Sequence, residues 1–185
     1  MIQLTTKRLI IRDPLLTDID GWHLLLSDAE TMYYLQGVLT HSVEASRQNL
    51  EIAVEEAENT TRKKYFFAIE NKDTGTFIGS IGYTVTQVTP LGKLVGLGYF
   101  ILPNFHGKGY ITEALNEVMR FAFVENDVYR ISAGCLIENQ ASERVMKKCG
   151  LVKEAEYKFF TWHDGKMKDR VEYRLLRDEW QAKLK

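Results

Sequence analysis

The sequence predicts an α+β fold (mixed α/β) in which short strands, joined by tight turns, are interleaved with amphipathic helices. Three features carry that expectation. Leu94 to Leu102 is an apolar and aromatic run that reads as a buried strand, stopped by Pro103 and Asn104, because proline cannot donate to a ladder and Asn favours turns. Gly107-Lys108-Gly109 then opens directly into a pattern with Leu115, Val118, Met119 and Ala122 at helical spacing. Asn71 to Gly75 and Asp164-Gly165 each separate alternating runs and so predict hairpins.

The elements follow in order. Leu9-Ile10-Ile11 is a first strand, ended by Pro14. Thr17 to Leu26 reads as a short helix with Thr17 as N-cap and Asp20 in a capping-box position. A second short helix spans Asp28 to Leu35, before the Gly37 break. Ser42 to Asn59 is the longest helix: Ser42 caps it, Leu50, Val54 and Ala57 line one face, and Glu51, Glu55, Glu56 and Glu58 face water. Tyr65 to Glu70 and Phe77 to Val88 are strands, and Gly79 and Gly82 mark close approach or bulging in the second. Tyr129 to Ile137 is a further strand. Asn139 and Gly150 are a good N-cap and C′ residue for a helix between them. Glu154 to His163 and Lys166 to Leu176 form the last hairpin, and a terminal helix starts at Asp178.

The strand, glycine loop and helix start together make an anion site. The first turn of a helix has unpartnered N–H groups and partial positive charge, and glycines let a phosphate approach the backbone. The loop is not a Walker A sequence, and no third glycine completes a dinucleotide fingerprint.

Composition narrows the class. A chain of 185 residues, 45% hydrophobic, buries a full core as a single domain over 1–185. A formal net charge of −1 gives no reason to expect nucleic-acid or membrane-surface binding. Cys135 and Cys149 lack metal-ligand spacing, so no structural metal is expected and buried free thiols are the better reading. No leader pattern and no run of about 20 apolar residues occurs, which reads as a cytoplasmic protein.

His106-Gly107-Lys108-Gly109-Tyr110-Ile111, followed by Thr112-Glu113-Ala114-Leu115, resembles the pyrophosphate loop of the GNAT superfamily of N-acetyltransferases. The block Asn139, Ser142, Lys148 and Gly150 resembles that superfamily too, and Thr6-Lys7-Arg8-Leu9 with Asp178-Glu179-Trp180 resembles its ribosomal-protein Nα-acetyltransferase (RimJ/RimL-like) group. The resemblance spans nearly the whole chain. His106 departs from the usual Gln or Arg, Ile111 from a small residue and Leu151 from Phe.

The resemblance implies a GNAT fold: a central, twisted, mostly antiparallel sheet with splayed central strands, flanked by helices. It implies acetyl-CoA as co-substrate, with pantetheine on the backbone of Phe100, Ile101 and Leu102 and pyrophosphate on His106, Gly107, Lys108, Gly109, Tyr110, Ile111 and Thr112. Ser142 is implied as the acid that protonates the leaving thiolate, since Met146 stands where many members have a tyrosine; Asn139 orients pantetheine or a relay water. Gly96 stands where related enzymes place a glutamate base, leaving ordered water near Glu138, Tyr33, Tyr34 or His163. Tyr33, Tyr34 and His163 are the candidate acceptor contacts. The acceptor is a small-molecule or peptide primary amine, the protein a monomer or homodimer. A non-catalytic acyl-CoA-binding module is the alternative, suggested by Gly96 and Met146.

Overall fold

The structure is a computed structural model that describes residues 1–184. Eight strands form a sheet in the order β1-β2-β3-β4-β5-β6-β8-β7: Gln3–Thr5, Leu9–Arg12, Lys64–Asn71, Phe77–Thr89, Gly92–Ile101, Val128–Leu136, Val152–His163 and Lys166–Leu176 are β1 to β8 in chain order. All neighbours whose register is defined pair antiparallel except β5 and β6. The helices are α1 (Ile19–Ser27), α2 (Val43–Glu58), α3 (Tyr110–Val124), α4 (Gln140–Lys148) and α5 (Arg177–Ala182). This is the mixed, mostly antiparallel fold that the sequence predicts. The described residues fall into two compact units, residues 1–84 with 98–119 and residues 85–97 with 120 onward.

In the first unit, Leu9, Ile11, Phe67, Ile69 and Ile78 alternate inward from β2, β3 and β4 and are fully buried. Each contributes roughly 1.5–3 kcal/mol by leaving water. Gly82 is required by a close approach, because a Cβ there would collide with the carbonyl of Tyr65 on β3. Trp22, Leu25 and Leu26 of α1 pack with Met32, Leu50 of α2 and Leu102 in one cluster. Ser42 caps α2 as expected, its hydroxyl accepting from Ala45 N–H at 3.1 Å.

Three local expectations change. Thr17 is not a cap: Leu16–Asp18 is a 3-10 turn, and the Asp18 carboxylate accepts from Leu15 N–H at 2.8 Å while Arg12 clamps it. The helix expected over 28–35 is a run of turns, because Asp28 takes the Thr31 N–H at 2.7 Å and competes with the helical ladder. Glu56 is half-buried rather than turned to water, since its carboxylate accepts from the amides of Lys63 and Lys64 at 2.5 and 2.9 Å. The short β1, with only Leu4 buried, had no sequence signal.

In the second unit, β5 pairs with β6 in parallel from Lys93 to Gly96, and β6 pairs with β8 from Arg130 to Leu136. The β7–β8 turn has positive φ at Asp164 and Gly165, 49° and 74°, the pairing a two-residue hairpin turn needs. Val128, Ile131, Val171, Tyr173 and Leu175 fill its core. Asn139 caps α4 and Gly150 follows its end at φ 81°, both as expected.

Candidate functional site

In the first unit, β5 leads to the glycine loop. Beyond Leu97 its side chains are half-buried, not buried as the sequence implied. Leu102 N–H, just past β5, donates to Ile78 carbonyl on β4 at 3.0 Å, and the Leu102 carbonyl accepts from Phe105 N–H at 3.0 Å. By alternation Ile101, the residue before, turns its backbone groups away from β4, and its carbonyl lies 2.9 Å from His106 Nε2.

Gly107 and Gly109 have φ of 72° and 78°, the left-handed region that an L side chain enters only with strain. Glu113 N–H is bonded to Gly109 carbonyl at 3.0 Å, closing the first turn of α3; the amides preceding it belong to the helix's open, partially positive end. Ile111 is buried and, with Ala114, Leu115 and Val118, anchors α3, so the bulky residue at this loop position serves the core. His106, Gly107, Lys108 and Gly109 are exposed, and Tyr110 and Thr112 are half-buried.

Side chains from far along the chain hold this loop. Glu113 accepts from Thr6 hydroxyl at 2.7 Å, Arg8 N–H at 2.9 Å and Arg8 Nε at 2.6 Å. Arg8 Nη1 donates to Lys108 carbonyl at 3.0 Å, and its guanidinium lies 4.4 Å from the Tyr110 ring centre. Partial burial pushes the Glu113 carboxyl up, but the bonds from Thr6 and Arg8 outweigh it and leave the group below its ordinary value. Lys108 bends back to Asn104 carbonyl at 2.9 Å, so Arg8 is the cation tied to the loop backbone. Sequence reasoning missed Arg8 and Glu113 as loop supports, although both lie in stretches that carried the family resemblance.

Tyr33 and Tyr34, also in the first unit, meet edge to face with ring centres 4.9 Å apart and are half-buried.

In the second unit, Asn139 Oδ1 accepts from Ser142 N–H at 3.1 Å, so these two expected residues come together at the start of α4. The Cys135 thiol donates to the Asn139 carbonyl at 3.7 Å, and burial raises it above its ordinary value, with Ser142 offsetting part of that. Cys149 is buried and pushed up to about 12 by desolvation. Both cysteines are free thiols, and neither is a thiolate at neutral pH. Glu143 accepts from Tyr173 hydroxyl at 2.5 Å, and Glu138 is paired with Lys168 at 2.6 Å. His163 is buried at the end of β7. Among the described residues, no group of three or more His, Cys, Asp or Glu side chains is arranged to hold a metal ion. Among the described residues, no helix is long and apolar enough to cross a membrane.

The acetyltransferase (GNAT) domain profile matches residues 8–152. The chain belongs to the GNAT family. Its curated relatives include an uncharacterized N-acetyltransferase of Bacillus subtilis, YnaD, 28% identical over 180 residues that cover 97% of this chain and 99% of the relative. The ribosomal protein uS5-alanine N-acetyltransferase of Escherichia coli is 26% identical over 183 residues, covering 97% and 93% of the two chains. Among solved structures, RimL, the ribosomal L7/L12 α-N-protein acetyltransferase in complex with coenzyme A, superposes with a TM-score of 0.81 at 19% identity, covering 96% of this chain and 99% of that one. This GNAT protein is an N-acetyltransferase, and nothing supports the non-catalytic alternative.

Proposed function

We propose that this N-acetyltransferase moves the acetyl group of acetyl-CoA directly to a primary amine, either a protein α-amine or a small molecule. It does so as one catalytic domain, monomeric or homodimeric, in the cytoplasm. The observation that carries the reading is the loop with positive φ at Gly107 and Gly109, placed at the open end of α3. A diphosphate fits it on physical grounds: exposed glycines and first-turn amides at a helix N-terminus favour an anion without needing a side-chain charge. His106 to Thr112 hold the pyrophosphate, and the outward backbone of Ile101 pairs with the pantetheine arm.

Bound acetyl-CoA supplies a thioester whose carbonyl carbon the amine attacks and whose sulfur leaves. Ser142 gives its proton to that sulfur and regains one from the ordered water that takes the proton released by the amine nitrogen, so that amide and thiol are the products. Asn139 fixes the turn from which Ser142 projects. The high pKa of the Cys149 thiol and the raised one of Cys135 favour direct transfer over an acetylated cysteine. Tyr33 and Tyr34 are assigned to the acceptor side; His163, being buried, is assigned to support rather than contact. Gly96 supplies no base, so the acceptor's own pKa sets the neutral fraction. An α-amine titrates near ~8 and a lysine-type amine near ~10.4, which favours the former. Thiol release from acetyl-CoA against an amine panel tests the reading. Tight coenzyme A binding without thiol release for any amine would sink it.

A further inference from the structure

The first unit contains a pocket of about 230 Å³ between α1, α2 and the sheet. Trp22 of α1, Ile52 and Ala53 of α2, Phe66 of β3 and Phe100 of β5 form its apolar walls, and Glu56 stands among them. Ile52 is 55% exposed, so the pocket is not a sealed packing void. Phe100 ties it to the cofactor strand: its side chain is a wall, while the next residue, Ile101, is the one assigned to pantetheine.

Size, walls and charge together decide what fits. Sites for drug-sized ligands run to roughly 300–1,000 Å³, so this one admits a group the size of a single side chain. Three aromatic rings and five aliphatic side chains reward an apolar group, because each buried methylene is favourable, and the few uncharged polar side chains of the lining, Asn49, Ser80 and Thr84, are outnumbered. The lining includes one carboxylate, Glu56, whose hydrogen bonds from the Lys63 and Lys64 amides keep it charged. A polyamine needs several carboxylates spaced along its length, and the lining offers only that one, with Lys64 beside it.

Building on the acetyl-transfer reading, we infer that this pocket seats the substituent of the acceptor, so that the substrate is a primary amine carrying an aromatic or branched aliphatic group. The same chemistry is found in the first residue of a peptide and in a free arylalkylamine. The pocket discriminates by size and polarity, and Glu56 adds attraction for the amine's positive charge.

The experiment compares kcat/KM for glycinamide, leucinamide, phenylalaninamide, a phenylalanine-headed tripeptide, phenethylamine and spermidine. Leucinamide and phenylalaninamide are expected to exceed glycinamide by roughly 10- to 100-fold, with spermidine no better than glycinamide. The tripeptide against phenethylamine tells a peptide source from a free amine. Ala53→Phe, which fills the pocket, removes the preference and leaves coenzyme A affinity unchanged; Ile52→Ser at the exposed rim lowers it without burdening folding. Equal kcat/KM for glycinamide and phenylalaninamide, or a preference untouched in both variants, overturns the inference. Absence of thiol release with every amine would instead defeat the acetyl-transfer reading. The pocket is then judged by the Trp22 indole NMR signal: a saturable shift with phenethylamine that Ile52→Ser weakens upholds it, and no shift overturns it.

Discussion

The loop after β5 and the start of α4 are built on opposite plans. The loop at 106–112 has its conformation set by two glycines, but its position depends on Thr6 and Arg8, about a hundred residues upstream, meeting Glu113. The start of α4 is local: Asn139 caps Ser142 three residues on, and Cys135, on the strand just before, donates its thiol proton to the Asn139 carbonyl. A phosphate-binding backbone must be held open and rigid against solvent, so it draws on distant side chains. A proton donor needs only a fixed rotamer beside its target, which a helix cap supplies. The account therefore expects damage at the loop to appear in binding and stability, and damage at α4 to appear in turnover.

The largest effect sharpens the α4 side of that contrast. Ser142→Ala should lower kcat by roughly 10²- to 10⁴-fold, the usual worth of general acid catalysis, with coenzyme A affinity near wild type by calorimetry. A fall below twofold, with chemistry rate-limiting, would make Ser142 a structural helix residue.

Next comes the loop itself. Gly109→Val forces a β-branched residue to φ 78°, a strain of about 1–3 kcal/mol before any blocked approach is counted. Coenzyme A should bind about 10- to 100-fold more weakly. Unchanged affinity would remove the loop from the pyrophosphate site.

The distant clasp is worth less. Glu113→Gln should cost about 1–2 kcal/mol of stability at pH 7, reduced from a buried pair's worth because Arg8 is 39% exposed. The folded Glu113 carboxyl lies below its ordinary value, so its stabilisation is present above the unfolded pKa and fades as pH falls through the folded one. Thermal melts of the two proteins should converge in acid. A gap that persists at pH 2 would mean that the ion pair is not its source.

The smallest effect concerns the thiols. Cys149→Ala should change kcat by less than about twofold, because a thiol with a pKa of about 12 is not a nucleophile at neutral pH. Rate loss beyond tenfold, in a folded variant, would reopen the acetyl-cysteine route.

What was legible in the sequence follows the same division. Backbone demands were readable: Gly107 and Gly109 at positive φ, Gly82 against Tyr65, Asp164-Gly165 in its turn, and Asn139 and Gly150 bounding α4. Each is a local rule that a residue type satisfies by itself. Competition between local options was not readable. Asp28 closes a turn with Thr31 where a helix was expected, and Asp18, not Thr17, stands at the N-cap of α1, its carboxylate drawn back to Arg12 and the Leu15 N–H rather than onto the helix. Long-range pairing was invisible: nothing in the spacing of Arg8 and Glu113 says that they meet. The half-burial of β5 beyond Leu97 and the burial of His163 likewise depend on tertiary surroundings that an apolar run or a hairpin signal does not specify.

The central claim is direct transfer to an amine, and a single-turnover experiment with equimolar enzyme and isotopically labelled acetyl-CoA tests it most directly. With phenylalaninamide present, intact mass spectrometry should show unlabelled protein throughout, while N-acetylated amine and free coenzyme A thiol rise together one for one. Label on the protein that then passes to the amine, or thiol released in its absence at the same rate, would contradict the account.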